Sequence, residues 1–259
     1  EKIPMQNTDA VIHLANIAND PCGELNSKLS WEVNVLATMR LVENAIKSGV
    51  RQFIYASSGS VYGVKEEPEV TEDLSLVPIS DYNKTKMISE RVLISYQDKI
   101  LVQCVRPATV CGYSPRMRLD LSVNMLTSQA ISNERITVLG GNQIRPNIHI
   151  KDMVGVYLHL LKMGDRAPGI YNAGFENMSI MQIAKKITEL VPAEIVVKES
   201  NDPRSYRLDS DKLLDTGFRP AYNVESGIRD VIKEFRSGRL KDEGRYYNLK
   251  VMKKLSLEE

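Results

Sequence analysis

The chain has 259 residues, 42% of them hydrophobic and 26% charged, enough for one large globular domain or two modest ones. Its 34 basic and 33 acidic residues leave a net charge of +1. That balance argues against nucleic acid or an anionic membrane as partner, because both select for a basic excess. No apolar run approaches the roughly 20 residues of a membrane span, and no charged-then-apolar leader opens the chain, so a cytoplasmic protein is expected.

The first half alternates strand and helix. Val11-Ile12-His13-Leu14-Ala15 is a short apolar run suited to a buried parallel strand. From Trp31 to Ser48, Val35, Met39, Val42 and Ile46 recur at helical spacing before the stop at Gly49. A second strand, Gln52 to Ser57, ends in small polar residues. A second helical pattern runs from Tyr82 to Tyr96 through Met87, Ile88, Val92 and Leu93, and a third strand spans Leu101 to Val105. Such alternation with short joints predicts an α/β fold with a doubly wound parallel sheet. Ligands of such sheets sit beyond the carboxyl ends of the strands, which places Ala15-Asn16, Ser57-Ser58 and Pro107-Ala108 along one crevice.

The second half is less regular. A Gly140-Gly141 turn precedes Ile148-His149-Ile150, a helix from about Lys151 to Met163 and a strand at Ile170 to Ala173. Ser179 is placed to cap a helix running to Leu190; a strand at Glu194 to Val197 and an amphipathic helix at Val224 to Arg236 follow. The charged tail after Gly238 is expected to be loosely held. Cys22, Cys104 and Cys111 lack metal-ligand spacing and read as free thiols, buried in the case of Cys104 and Cys111. His13 and His149 lie in apolar runs without a ligand-spaced partner and read as core histidines, with no metal.

The chemistry-bearing pattern is Tyr82-Asn83-Lys84-Thr85-Lys86. A tyrosine and a lysine four apart share a helix face, where the ammonium is expected to lower the phenol's pKa for proton exchange with a substrate hydroxyl. About 24 residues upstream, Ser57-Ser58-Gly59-Ser60 follows the second strand, where a serine hydroxyl can hold the same substrate oxygen. Either piece alone is common on exposed helices and in plain turns; their order and separation give them weight.

With these residues the chain resembles the extended short-chain dehydrogenase/reductase family, in particular its nucleotide-sugar epimerases and dehydratases. The likeness also covers Val11 to Ala15, Asn34 before Ala37-Thr38, Arg106-Pro107, Arg145 to Asp152 and Asp202 to Arg207. The resemblance implies a Rossmann-type cofactor domain at 1–115 and 145–175, and a small mixed α/β nucleotide-sugar domain at 116–144 and 176–259. It implies NAD as cofactor, with NADP left open, a nucleotide-diphosphate sugar as substrate, and a homodimer through the helices from Trp31 and Tyr82. Tyr82 becomes the acid/base, Lys86 its tuner and a ligand of the nicotinamide ribose, and Ser58 the group that orients the sugar hydroxyl. Leu14, Ala15, Asn16, Asn34, Ser57 and Pro107 border the cofactor, Asn34 by supporting the lysine. Ser60, Thr109, Asn124 and Arg145 face the substrate, Asn124 and Arg145 at its diphosphate, where an arginine fork pairs with phosphate oxygens. Arg204 and Arg207 stand open between that nucleotide and pairing with Asp202, Asp209 and Asp211.

Two departures from the family pattern stand out. No Gly-x-x-Gly-x-x-Gly turn is present, and the early glycines, principally Gly23, stand alone. The chain therefore reads as beginning just before the fourth strand, short of roughly sixty residues. In that form it is expected to fold poorly alone and to bind dinucleotide weakly. Second, Gly59 and Ser60 occupy the positions of the acidic pair that dehydratases use to eliminate water. This favours epimerisation; a keto-sugar reductase and a non-catalytic sugar-nucleotide binder are the alternatives. Ala108 and Thr109 replace a bulkier Phe-Asn of galactose epimerases, which alters the sugar pocket.

Overall fold

The computed structural model describes residues 3–200 and 205–255. In chain order, β1 (Ala10–His13) leads through α1 (Asp20–Leu25), α2 (Ser27–Trp31) and a π-helical turn at Glu32–Leu36 into α3 (Ala37–Lys47). Next come β2 (Gln52–Ala56), α4 (Asp81–Ile94), β3 (Leu101–Pro107), β4 (Thr109–Cys111), α5 (Ser122–Asn133) and β5 (Arg135–Leu139). β6 (Ile144–His149), α6 (Ile150–Met163), β7 (Gly169–Ala173), β8 (Glu176–Ser179), α7 (Ile180–Thr188) and β9 (Glu194–Lys198) continue the chain. It closes with α8 (Asp211–Asp215), α9 (Val224–Arg236) and α10 (Asn248–Lys254).

β1, β2, β3 and β7 form one parallel sheet in that order. β2 shows why it is doubly wound: successive side chains point to opposite faces. Ile54 packs on the α6 side with Val105, Val156 and Leu160. Phe53 and Tyr55 pack on the other side with Val42 of α3 and Leu93 of α4. All three are fully buried, and each such burial contributes roughly 2 kcal/mol. A second core joins β5, α5, α7 and α9 through Val123, Leu126, Ile136, Ile183 and Ile228. β4, β6 and β8 form a small mixed sheet, and β5 pairs with β9.

Most of the strand and helix pattern agrees with the sequence reading, with two corrections. The tail after Gly238 is held down: Leu240 and Tyr246 are buried against Met117, Leu119 and Val231. Two bonds fix it further, Leu119 N–H to the Tyr246 carbonyl at 2.9 Å and Asn248 N–H to the Asp120 carboxylate at 2.9 Å. Two apolar side chains among many charges outweigh the tail's polarity. The helix expected from Trp31 begins earlier, at Ser27, because the Asn26 side chain caps it by accepting from Leu29 N–H at 2.7 Å. The three cysteines are free and buried, and His13 and His149 are core residues. No helix among the described residues is long and apolar enough to cross a membrane.

Candidate active site

Helix α4 starts where Ser80 caps it, its hydroxyl oxygen accepting from Asn83 N–H at 3.2 Å while donating to Asp20 at 2.5 Å. Ser27 of α2 ties down Asp81 in the same turn, at 2.5 Å. Tyr82 is therefore fixed in the first turn, and Lys86 lies one turn on, both directed at the carboxyl end of β2. α1 presses on this start so closely that a Cβ at Gly23 would lie 3.1 Å from both Tyr82 N and Tyr82 Cβ. Only a residue without a side chain lets the two helices meet there without displacement.

From β2, Ser58 opens a short 3-10 turn, its oxygen accepting from Ser60 N–H at 3.2 Å. The Ser58 and Ser60 hydroxyls are 2.7 Å apart, and Ser60 donates to Asn83 Oδ1 at 2.5 Å. Strand end and helix start are thus linked by one polar chain, with Ser58 beside the Tyr82 phenol. Burial raises that phenol's pKa and outweighs the hydrogen bond to Ser58 and the charge of Arg118, both of which lower it, while Asp20 adds to the rise. The direction is opposite to the expected lysine-driven lowering. Lys86 Nζ donates to the Ala56 carbonyl at 2.5 Å and lies over the rings of Tyr55, at 4.8 Å, and Tyr82, at 5.8 Å. Burial pushes its pKa down to about 7, opposed by the negative charge of Glu90.

The match to the family model for NAD dependent epimerase/dehydratase extends over residues 1–174. The chain belongs to this family. It is 26% identical to a UDP-glucose 4-epimerase of Lactobacillus helveticus, over 90% of this chain and 78% of that one. It is 30% identical to a dTDP-D-glucose 4,6-dehydratase of Homo sapiens, over 89% of this chain and 69% of that one. Among solved structures, a UDP-glucuronic acid 4-epimerase from Bacillus cereus, in complex with UDP-glucuronic acid and NAD, superposes with a TM-score of 0.79. It shares 25% identity, covering 90% of this chain and 77% of that one.

The cofactor of an NAD dependent epimerase/dehydratase finds suitable groups at the strand ends. Ser57 Oγ, after β2, and Asn16 Oδ1, after β1, are buried and have no hydrogen-bond partner among the described residues. Unpaired buried acceptors of this kind suit a polar ligand or an ordered water. Leu14 and Ala15 are exposed beside them, and Pro107 ends β3 opposite Ala173. Asn34 lies deeper than the sequence reading placed it. Its amide exchanges hydrogen bonds with the Ile17 backbone at 2.8 and 3.0 Å and donates to Thr85 at 3.1 Å. Its carbonyl accepts from Thr38 and Ser89, so the residue braces the loop after β1 against α4.

The residues assigned to the nucleotide sugar are more dispersed. Thr109 starts β4 and is half-buried. Asn124 is buried, and its amide is engaged by backbone: it accepts from Gly112 N–H at 3.0 Å and donates to the Arg118 carbonyl at 3.0 Å. Arg145 lies on β6, half-buried, donating to the Ile144 carbonyl at 3.2 Å. Arg207 is exposed, on a segment tied to Val70 by backbone at 2.8 Å. Arg204 falls outside the described residues. Sequence reasoning missed Asp20, Gly23, Asn83 and Arg118, all of which bear on Tyr82 or its helix start. Asn83 lay inside the motif and was passed over; the other three carry no local signal.

Proposed function

We propose that the chain is a nucleotide-sugar epimerase that acts through transient hydride transfer, with Tyr82 as acid/base. The observation that carries this reading is the convergence of Ser58, Tyr82 and Lys86 on the strand ends where Ser57 and Asn16 hold unpaired acceptors. Bound nicotinamide supplies the hydride acceptor and donor for the sugar carbon. Ser58 orients the reacting sugar hydroxyl, Tyr82 takes its proton as the carbon is oxidised, and returns it after the keto group has presented its other face. Lys86 holds the cofactor ribose and adds positive charge near the phenol, and Arg145 and Arg207 bind the diphosphate.

Dehydration is disfavoured despite the dehydratase relatives. At position 59 a Cβ would lie 3.2 Å from the Pro107 carbonyl and 3.3 Å from the Tyr206 hydroxyl, which leaves little room for a carboxylate. The reading takes 1–115 with 145–175 as the cofactor domain and 116–144 with 176–259 as the sugar domain, although Leu208, Leu213 and Phe218 pack into the apolar cluster on the cofactor side and Cys111 into that about α5. It also includes a homodimer through α3 and α4. A cytoplasmic location suits three free thiols.

The test is incubation with UDP-glucose, UDP-glucuronic acid or dTDP-glucose plus NAD, following epimer formation and cofactor redox state. Epimer without net reduction is expected, and Tyr82→Phe lowers turnover by at least about a hundredfold. Net, stoichiometric reduction of NAD without epimer would identify an oxidoreductase of the family instead, and wild-type rates in Tyr82→Phe would remove the acid/base assignment.

A further inference from the structure

Beyond Tyr82 and Lys86, the same face of α4 carries a third polar group. Glu90 follows Lys86 by one turn, as Lys86 follows Tyr82, so the three side chains stack along the helix. Glu90 is fully buried, and both its oxygens are taken by Arg106 of β3: Nε to Oε1 at 2.9 Å and NH2 to Oε2 at 2.7 Å. Arg106 is itself locked, donating to the Tyr62 hydroxyl at 2.7 Å, which in turn donates to Asn172 at 2.8 Å. A buried ion pair of this kind brings little net stability over apolar residues of the same size, because two charges leave water to form it. Its retention here therefore asks for another role.

We propose that Glu90, oriented by Arg106, is a positioning residue that acts through Lys86, holding the lysine within reach of its charged form at the cofactor side of the sheet. The inference rests on the role given to Lys86 above. Glu90 lies one turn from Lys86 on the same buried face of α4, and the amine's other neighbours carry no full negative charge. From β1, His13 stands near it; from β2, the Tyr55 ring and the Ala56 carbonyl; from β3, Cys104; from α4, Tyr82. Of these, the Ala56 carbonyl, the ring faces and Cys104 favour an ammonium, and none carries a full charge. Among the described residues, Glu90 supplies the one full negative charge that acts on the amine, and burial is what it opposes.

The test is a carbon-13 titration of the lysine ε-carbons in the ligand-free full chain, with Lys86 assigned from the spectrum of Lys86→Arg. The wild-type Lys86 midpoint is expected at about 7. Glu90→Gln lowers it by roughly one pH unit or more, the scale of a nearby opposite charge, and Glu90→Asp returns it toward the wild-type value. An unchanged midpoint in folded Glu90→Gln overturns the proposal. Where Glu90→Gln does not fold, because Arg106 is left unpaired, Glu90→Gln/Arg106→Met removes both charges; a lowered midpoint there supports the role, and an unchanged one sinks it. The titration needs no substrate. Failure of the wild type to epimerise any sugar tested would remove the activity reading and leave the ion pair to be decided by the midpoint.

Discussion

The two sides of the crevice are built differently. On the proposed catalytic side, Ser58, Ser60, Tyr82, Asn83 and Lys86 come from two short stretches and are fixed by hydrogen bonds and burial. On the proposed nucleotide side, Thr109, Asn124, Arg145 and Arg207 come from four separate stretches, and Arg207 is exposed. Chemistry demands the first arrangement, since a misplacement of about 1 Å can cost on the order of a hundredfold in rate. Holding a flexible diphosphate tolerates the second. The catalytic side should therefore respond to substitution through pH and turnover, and the nucleotide side through stability and KM.

The largest effect expected is acid sensitivity on the catalytic side. His13 is buried behind Lys86 and shares a 2.8 Å hydrogen bond with Thr38. Burial, then the Lys86 charge, pushes its pKa down to about 4 from an ordinary 6.5. The folded state thus binds fewer protons than the unfolded one between those values. The stability that His13 contributes is fully present above pH 6.5 and is lost as pH falls through 4, as much as about 3 kcal/mol. His13→Gln should flatten that acid limb in urea unfolding curves measured from pH 7 to 4. An equally steep limb in the variant would show that His13 is not the group that titrates.

Next in size, Asn124 sharpens the comparison from the other side. Its amide holds Gly112 N–H and the Arg118 carbonyl rather than standing open. Asn124→Ala leaves both without their partner and should destabilise the fold by about 2 kcal/mol in urea unfolding. An unchanged stability with a raised KM would return Asn124 to direct contact with the diphosphate.

The same contrast explains what could be read from sequence. The parallel sheet was legible because β2 and β3 are short, mostly apolar stretches and α3 keeps a clean helical period. Tyr82 and Lys86 were legible because helical geometry alone brings residues four apart together. α5 was missed because it is buried on most sides with Asn124, Thr127 and Ser128 among its inward residues, which breaks the apolar period. β4 and β8, of three and four residues, are too short to show alternation. Gly23 was set aside as a lone glycine because nothing local reveals that α1 will meet Tyr82. The phenol's raised pKa was misjudged for a related reason: spacing predicts who is near, whereas burial decides which effect wins.

The smallest expected effect belongs to Arg207. Its guanidinium is exposed, so the charge is already well solvated and the gain on meeting a phosphate is modest. Its backbone, by contrast, is fixed by the bond from Val70 N–H to the Arg207 carbonyl, so removing the side chain leaves the segment in place. Arg207→Ala should therefore raise KM for UDP-glucose about fivefold, on the order of 1 kcal/mol, with kcat and melting temperature unchanged. A fall in kcat at constant KM would mean that Arg207 acts in the transition state, and the division between a rigid chemical side and a tolerant binding side would no longer hold.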